Sequence, residues 1–187
     1  STYERALSAK EALGDKAATM IVAEASYEVS DPTVDSQIIA LKSSGADTLF
    51  TFASPKFAAL SIRKTYDIGW RPYHVVAQPG SSVASVLKAA GFERATGLVT
   101  ASFLKDPTDP QWQNDRGMKE WTAWMNKYYP EGDLTDWYNV FGYTLAQAMA
   151  HVLKHSGDDL TREGVMRQAT SLRNLELPML LPGIKIN

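Results

Sequence analysis

Cysteine is absent from the 187 residues. That excludes disulfides and thiolate zinc centres. A dominant charge is absent too: 19 Lys and Arg against 21 Asp and Glu give a formal net charge of −2. No basic block interrupts the chain. Nucleic-acid binding needs clustered cations, so DNA and RNA are not expected partners. No apolar run approaches the roughly 20 residues of a membrane-spanning helix. The opening Ser-Thr-Tyr-Glu-Arg has no basic segment followed by an apolar core, so it does not read as a signal peptide. Histidine is scarce, at three residues. His151 and His155 stand four apart in "HVLKH". On a helix that spacing can hold a metal, but the inner Glu of a zinc-protease helix is missing, and two solvated histidines near a helix end are the plainer reading. His74 falls in a strand pattern and reads as a packing residue. Neither a Gly-x-Ser-x-Gly elbow nor a Gly-rich phosphate loop occurs. No nucleophile, base and orienting group assemble, so no enzyme activity, cofactor or metal is expected.

What is present is a regular alternation in the first half. Tyr3 to Leu13 is amphipathic, with Gly14 as its C-cap. Ala18 to Ala25 reads as a strand apolar enough to be buried on both faces. Asp35 reads as the N-cap of a helix over Ser36 to Ser44, closed by Gly45. Thr48 to Phe52 is the next strand. Ser54 reads as the cap of a helix from Pro55 to Ile68, with Pro in its favoured first position and Gly69 as the stop. Tyr73 to Ala77 is a third strand. Ser81 or Ser82 caps Val83 to Ala90, and Gly97 to Phe103 is a fourth strand. Strands alternating with helices through short connections predict an α/β fold, a parallel β-sheet sandwiched by helices.

Lys105-Asp-Pro-Thr-Asp-Pro110 breaks this rhythm. Three helical patterns follow, over Gly117–Tyr129, Trp137–His155 and Leu160–Leu172. An extended, Pro-punctuated stretch from Leu177 to Ile186 ends the chain. The reading is an α/β ligand-binding lobe over 1–103, then a helical segment and extended tail over 104–187. The chain opens in a helical pattern and ends in an extended one, as expected of a piece of something longer.

Ligands of open parallel sheets bind outside the C-terminal ends of the strands. Here those ends carry Glu24-Ala25-Ser26-Tyr27, Ala53-Ser54-Pro55, Ala77-Gln78-Pro79-Gly80-Ser81-Ser82 and Ala101-Ser102-Phe103. Small residues, hydroxyls, a carboxamide and aromatic rings describe a cleft for a small polar solute better than a catalytic centre. The helix starts at Pro55 and Val83 add free N–H groups suited to an anion or carboxylate.

"YERALSAKEALGD", "DPTVDSQIIALKSSGADTLFTFASPKFAALSIRKTYDIGW", "LKDPTDPQW" and "ELPMLLPGIKIN" together resemble the solute-binding proteins of branched-chain-amino-acid-type ABC importers. The likeness runs over nearly the whole chain and rests on the order and spacing of these stretches. It implies one lobe of a type I periplasmic binding fold, with helices after about residue 104 that return to a first lobe whose sheet is not in this sequence. It implies a periplasmic location, a small-molecule solute, a membrane permease as partner, and no cofactor. The apolar residues Trp121, Trp124, Leu145 and Met149 would then need another cover, from a separately supplied lobe or from a second copy in a homodimer. Carried over by position, Ala53, Ser54 and Pro55 match the ligand contact of the second lobe. Gly80, Ser81 and Phe103 belong to the neighbouring strand ends, and Tyr138 falls where members have an aromatic ring near the cleft mouth. Gln78 stands where amino-acid-binding members place an acid for the ligand ammonium. The expected solute is a small carboxylate, amino-acid-like, keto or aromatic, with Gln78 pointing away from a free α-amino group. The alternative is a ligand-sensing domain of a receptor or transcriptional regulator with the same fold.

Overall fold

The alternation Thr48-Leu49-Phe50-Thr51 buries Leu49 and Thr51 and exposes Phe50, the period of a half-buried strand. This is β1 (Thr48–Thr51) in a computed structural model of the chain, which describes residues 9–187. Its neighbour β2 (Tyr73–Val76) runs parallel in a register that sets Thr48 opposite Tyr73 and Thr51 opposite Val76. The chain divides into two units, Ser1–Ala101 and Ser102–Asn187.

In the first unit the helices flank the two-stranded sheet. α1 (Ala17–Met20) comes first, after helical residues 9–13 and a 3-10 turn; residues 3–8 of the expected opening helix lie outside the described residues. α2 (Asp35–Ser43) begins where Thr33 accepts the Asp35 N–H. Asp35 is thus the first helical residue rather than the cap. Its carboxylate takes a 2.8 Å ion pair from Lys64 of α3 (Pro55–Asp67). The Lys64 hydrogen bond holds the Asp35 carboxyl below the usual range. α3 has Pro at its first position and buries Phe57, Ala58, Ala59, Ser61, Ile62 and Thr65. Gly69, at φ +68°, ends it in the left-handed conformation that glycine adopts at no steric cost. Phe57 and Ile62 join Val34, Ile38, Leu49 and Val86 in one core. Each such side chain contributes about 1.5–3 kcal/mol by leaving water. Ser82 caps the π-helical turn Val83–Leu87, which runs on as α4 (Lys88–Ala90), followed by α5 (Phe92–Ala95).

Two expected strands differ. Ala18 to Ala25 forms no strand: its start is helical, the remainder has no ladder, and Met20 and Val22 are exposed. A short apolar run carries no period to separate helix from strand, and alanine favours the helix. Gly97 to Phe103 is split. Val99 makes one parallel bridge to Val75, donating to the His74 carbonyl (3.0 Å) and accepting from the Val76 N–H (2.9 Å). The chain then leaves, and Leu104 bridges antiparallel to Leu180.

In the second unit each helix starts on a polar cap. Asp115 accepts from the Met118 N–H at the head of α6 (Arg116–Tyr128), Asp136 from Tyr138 at α7 (Trp137–Ser156), and Thr161 from Gly164 at α8 (Arg162–Thr170). The core is rich in sulfur and aromatic groups: Met118, Trp121, Met125, Trp137, Val140 and Met179. Trp121, expected to need an outside cover, is 1% exposed and packs here; Trp124, Leu145 and Met149 remain exposed. Lys105, in the stretch read as a polar break, is buried. Its ammonium donates to the Pro178 carbonyl (2.7 Å) and pairs with Asp115 (2.8 Å). Gly117 permits this approach, since a Cβ there would stand 2.5 Å from the same carbonyl.

Candidate functional site

The in-register pairing of β1 with β2 brings the two loops that follow them side by side. The Ala77 N–H donates to the Thr51 carbonyl (2.9 Å), carrying the ladder one residue past the strands. A Cβ on Gly80 would stand 2.7 Å from Val76 Cγ1 and 2.8 Å from Ala58 Cβ, so only glycine lets the second loop press onto the first turn of α3. Gln78-Pro79-Gly80 forms a 3-10 turn. The Ser81 hydroxyl ties back to the Gln78 carbonyl (2.8 Å), and the Gly80 N–H donates to the Ala77 carbonyl (2.8 Å). Ala53, Ser54, Pro55, Gln78, Gly80 and Ser81 therefore share one edge of the sheet. Ala53 and Gly80 are buried, Ser54 is exposed, and Pro55, Gln78 and Ser81 are half-buried.

Ser54 stands at the N-cap position, but its hydroxyl makes no capping bond. Its backbone N–H instead donates to the Tyr27 hydroxyl (2.9 Å), and the Tyr27 ring packs 4.2 Å from that of Phe57. Tyr27 thus closes the junction from a segment 27 residues away. In the sequence only its place at a strand-like end marks it. Beneath the edge, His74 is 6% exposed, with Nε2 2.8 Å from the Thr51 hydroxyl. Burial pushes its pKa down to about 4, so the ring is neutral near pH 7.

The other two expected residues lie in the second unit. Phe103 is exposed and meets Trp137 and Phe141 edge-on, with centroids 6.3 and 6.4 Å away. Tyr138, in the first turn of α7, stands edge-on to Trp137 at 5.3 Å. Phe103 and Phe141 also line an apolar groove of about 350 Å³ with Leu145, Leu180 and Ile184. Among the described residues no group of three or more His, Cys, Asp or Glu is placed to hold a metal ion.

A parallel sheet flanked by helices, with small and polar residues at its C-terminal edge, matches a lobe of the type I periplasmic binding fold. The sequence profile of the periplasmic binding protein family matches residues 4–185, and the chain belongs to that family. Among solved structures it is similar to a substrate-binding periplasmic protein from Ralstonia solanacearum (21% identity, TM-score 0.71), covering 83% of this chain and 43% of that one. It is also similar to a leucine-binding protein, LivK, from Thermotoga maritima (18% identity, TM-score 0.60, 79% and 40% covered). A third is an ABC transporter substrate-binding protein from Aeropyrum pernix (13% identity, TM-score 0.60, 82% and 39% covered). The chain therefore spans about two-fifths of the length of these structures. A search of curated proteins finds no match. Among the described residues no helix is long and apolar enough to cross a membrane.

Proposed function

We propose that this chain is part of the extracytoplasmic solute-binding component of an ABC importer. Its wall of the cleft is the edge formed by Ala53-Ser54-Pro55 and Gln78 to Ser81, and it hands a small carboxylate-type solute to a membrane permease. The observation that carries this reading is the in-register β1–β2 pair, which sets two helix-starting loops side by side in a chain of the periplasmic binding protein family. The exposed Ser54 hydroxyl, left over from capping, suits an oxygen-rich solute. Phe103 and Tyr138, both in the second unit, stay in this reading as ligand contacts on the strength of the family resemblance.

Gln78 sets the selectivity in this proposal. A neutral carboxamide compensates the lost hydration of an ammonium less well than a carboxylate does. The preferred solutes then lack a free α-amino group: keto, hydroxy or aromatic acids rather than leucine or valine. The test is calorimetric titration of the protein with matched amino and keto acids, alongside Gln78→Glu. The expected result is a shift toward amino acids in the variant worth about 1–3 kcal/mol, typical of a hydrogen bond to a charged group. Tighter binding of leucine or valine than of their keto acids by the unaltered protein overturns the assignment of Gln78.

A further inference from the structure

His151 and His155 have no part in the proposed solute site. They lie one turn apart toward the C-terminal end of α7, with ring centroids 4.0 Å apart and planes within 25° of parallel. His155 Nδ1 lies 2.8 Å from the His151 carbonyl and can only donate to it, because both oxygen lone pairs of a carbonyl accept. That bond fixes the tautomer and leaves Nε2 with an open lone pair. Metal-ligating histidines are oriented in the same way, the second ring nitrogen donating to a carbonyl or carboxylate. We propose that His151 and His155 form a two-imidazole chelate for a divalent transition-metal ion on the surface of the second unit.

Three observations favour this reading over two idle histidines. The rings stand 4.0 Å apart at i, i+4 on one helix face, and with His155 held by its carbonyl bond a turn of the His151 ring out of the stack brings a second nitrogen toward the roughly 2.0–2.1 Å that metal–imidazole bonds require. His155 lies in the last turn of a 20-residue helix, where the aligned peptide dipoles favour a cation. Gln168 of α8 donates to the His155 carbonyl (3.1 Å), which steadies that turn. The chain also offers little competition: it has no cysteine, and its only other histidine, His74, is buried against Thr51. Two imidazoles without thiolates favour copper(II), then nickel(II) and zinc(II). The other coordination positions stay with water.

The tag-free chain, stripped with a chelator, is titrated with copper(II) chloride and with nickel(II) chloride, beside His151→Ala and His155→Ala. Alanine is the best helix former, so both variants keep α7, as far-UV circular dichroism without metal will verify. The expected result is one equivalent of copper, two nitrogen couplings in its electron paramagnetic resonance spectrum, and at least about tenfold weaker binding in each variant. Copper also raises the melting temperature of the parent by more than that of either variant, as linkage requires of a ligand held only by the folded state. Equal affinity of parent and variants, a single nitrogen coupling, or no stoichiometric uptake by the parent overturns the proposal. Solute binding at the sheet edge is read separately by calorimetry, so neither result depends on the other.

Discussion

The two units solve the same problem with different materials. In Ser1–Ala101 the backbone is registered by a parallel ladder, and the core is made of aliphatic and small side chains beside Phe57 and Trp70. In Ser102–Asn187 the described strand pairing is reduced to isolated bridges. Tryptophan and methionine side chains fill the core there, and a buried ammonium ties the extended tail to the head of α6. A ladder fixes loop positions to a residue, which suits the proposed solute wall, where the loops of Ser54 and Gln78 lie side by side. A packing of large flexible and aromatic groups fixes them less sharply, but buries more area per residue.

That contrast makes Lys105 the most consequential side chain of the second unit. Removing it leaves the Asp115 carboxylate, still bonded to the Met118 N–H, without its counter-ion and the Pro178 carbonyl without the ammonium. Breaking a buried pair on one side costs about 3–5 kcal/mol; the part-exposed Asp115 places this case near 3. Asp115 shows the balance: burial pushes its pKa up, but the Lys105 hydrogen bond and its cap bonds outweigh burial and hold it low. Lys105→Ala should lower the urea midpoint seen by tryptophan fluorescence, since Trp112, Trp121, Trp124 and Trp137 all lie in this unit. Amide exchange of β1 and β2 should be unchanged. Equal loss of protection there would erase the distinction between the units.

His74 gives the first unit a different sensitivity. Its folded pKa of about 4 lies below the unfolded value of about 6.5, so the unfolded chain binds the extra proton between those limits. Stability is therefore complete above pH 6.5 and falls as the pH drops toward 4, by about 3 kcal/mol over the interval. Exchange of the β1 and β2 amides across that range measures the loss. His74→Gln, which keeps a partner for Thr51 but does not titrate, should flatten the curve. An unchanged slope in that variant would assign the acid sensitivity to other groups.

How much of this was legible in the sequence follows from where each feature gets its partner. The helix end at Gly69 is local and legible in the sequence; the caps Asp115, Asp136 and Thr161 bond within three positions too, but those three helices read from the sequence only as helical patterns. The parallel direction of β1 and β2 follows from the helix between them. What was hidden depends on partners far along the chain. Lys105 sits in a polar, Pro-rich stretch and reads as a surface break, because the carbonyl that buries it is 73 residues away. Ser54 reads as a capping residue, because Tyr27 is 27 residues upstream. Ala18 to Ala25 and Gly97 to Phe103 look like strands by composition, but a strand exists only where a neighbour offers a ladder. For the candidate site, the shared edge of the two loops was readable, and the way each loop is tied down was not.

Gly80 tests how tightly the ladder's loops are held. A Cβ there meets Val76 Cγ1 at 2.7 Å and Ala58 Cβ at 2.8 Å, both in packed surroundings. Gly80→Ala should destabilise the first unit by about 1–3 kcal/mol, the usual cost of one extra carbon in a filled space. Its backbone lies outside the left-handed region, so overpacking and not torsional strain carries the cost. The companion change Ala58→Gly removes one of the two obstructing carbons; measured against Ala58→Gly alone, which itself costs about 1 kcal/mol in a helix, Gly80→Ala should then cost less. An unchanged cost in that background would mean that the Val76 contact alone sets it.

The smallest effect concerns the junction itself. Tyr27→Phe keeps the ring against Phe57 and removes only the hydroxyl that accepts the Ser54 N–H. The N–H stands at an exposed residue, so water takes over part of the bond, and the cost should be about 0.5–1.5 kcal/mol. Amide exchange at Ser54 should quicken while that of β1 barely changes. With the backbone no longer held by Tyr27, the Ser54 hydroxyl can turn to cap α3: rotation about one side-chain bond lets it accept from an N–H two or three residues on, as serines at this position commonly do. If it does so, Tyr27→Phe costs little in stability but removes the hydroxyl from the solute edge, and Tyr27→Phe with Ser54→Ala should be more destabilised than the two single changes summed. Strict additivity would show that the serine hydroxyl stays free for the solute whether or not Tyr27 holds the backbone.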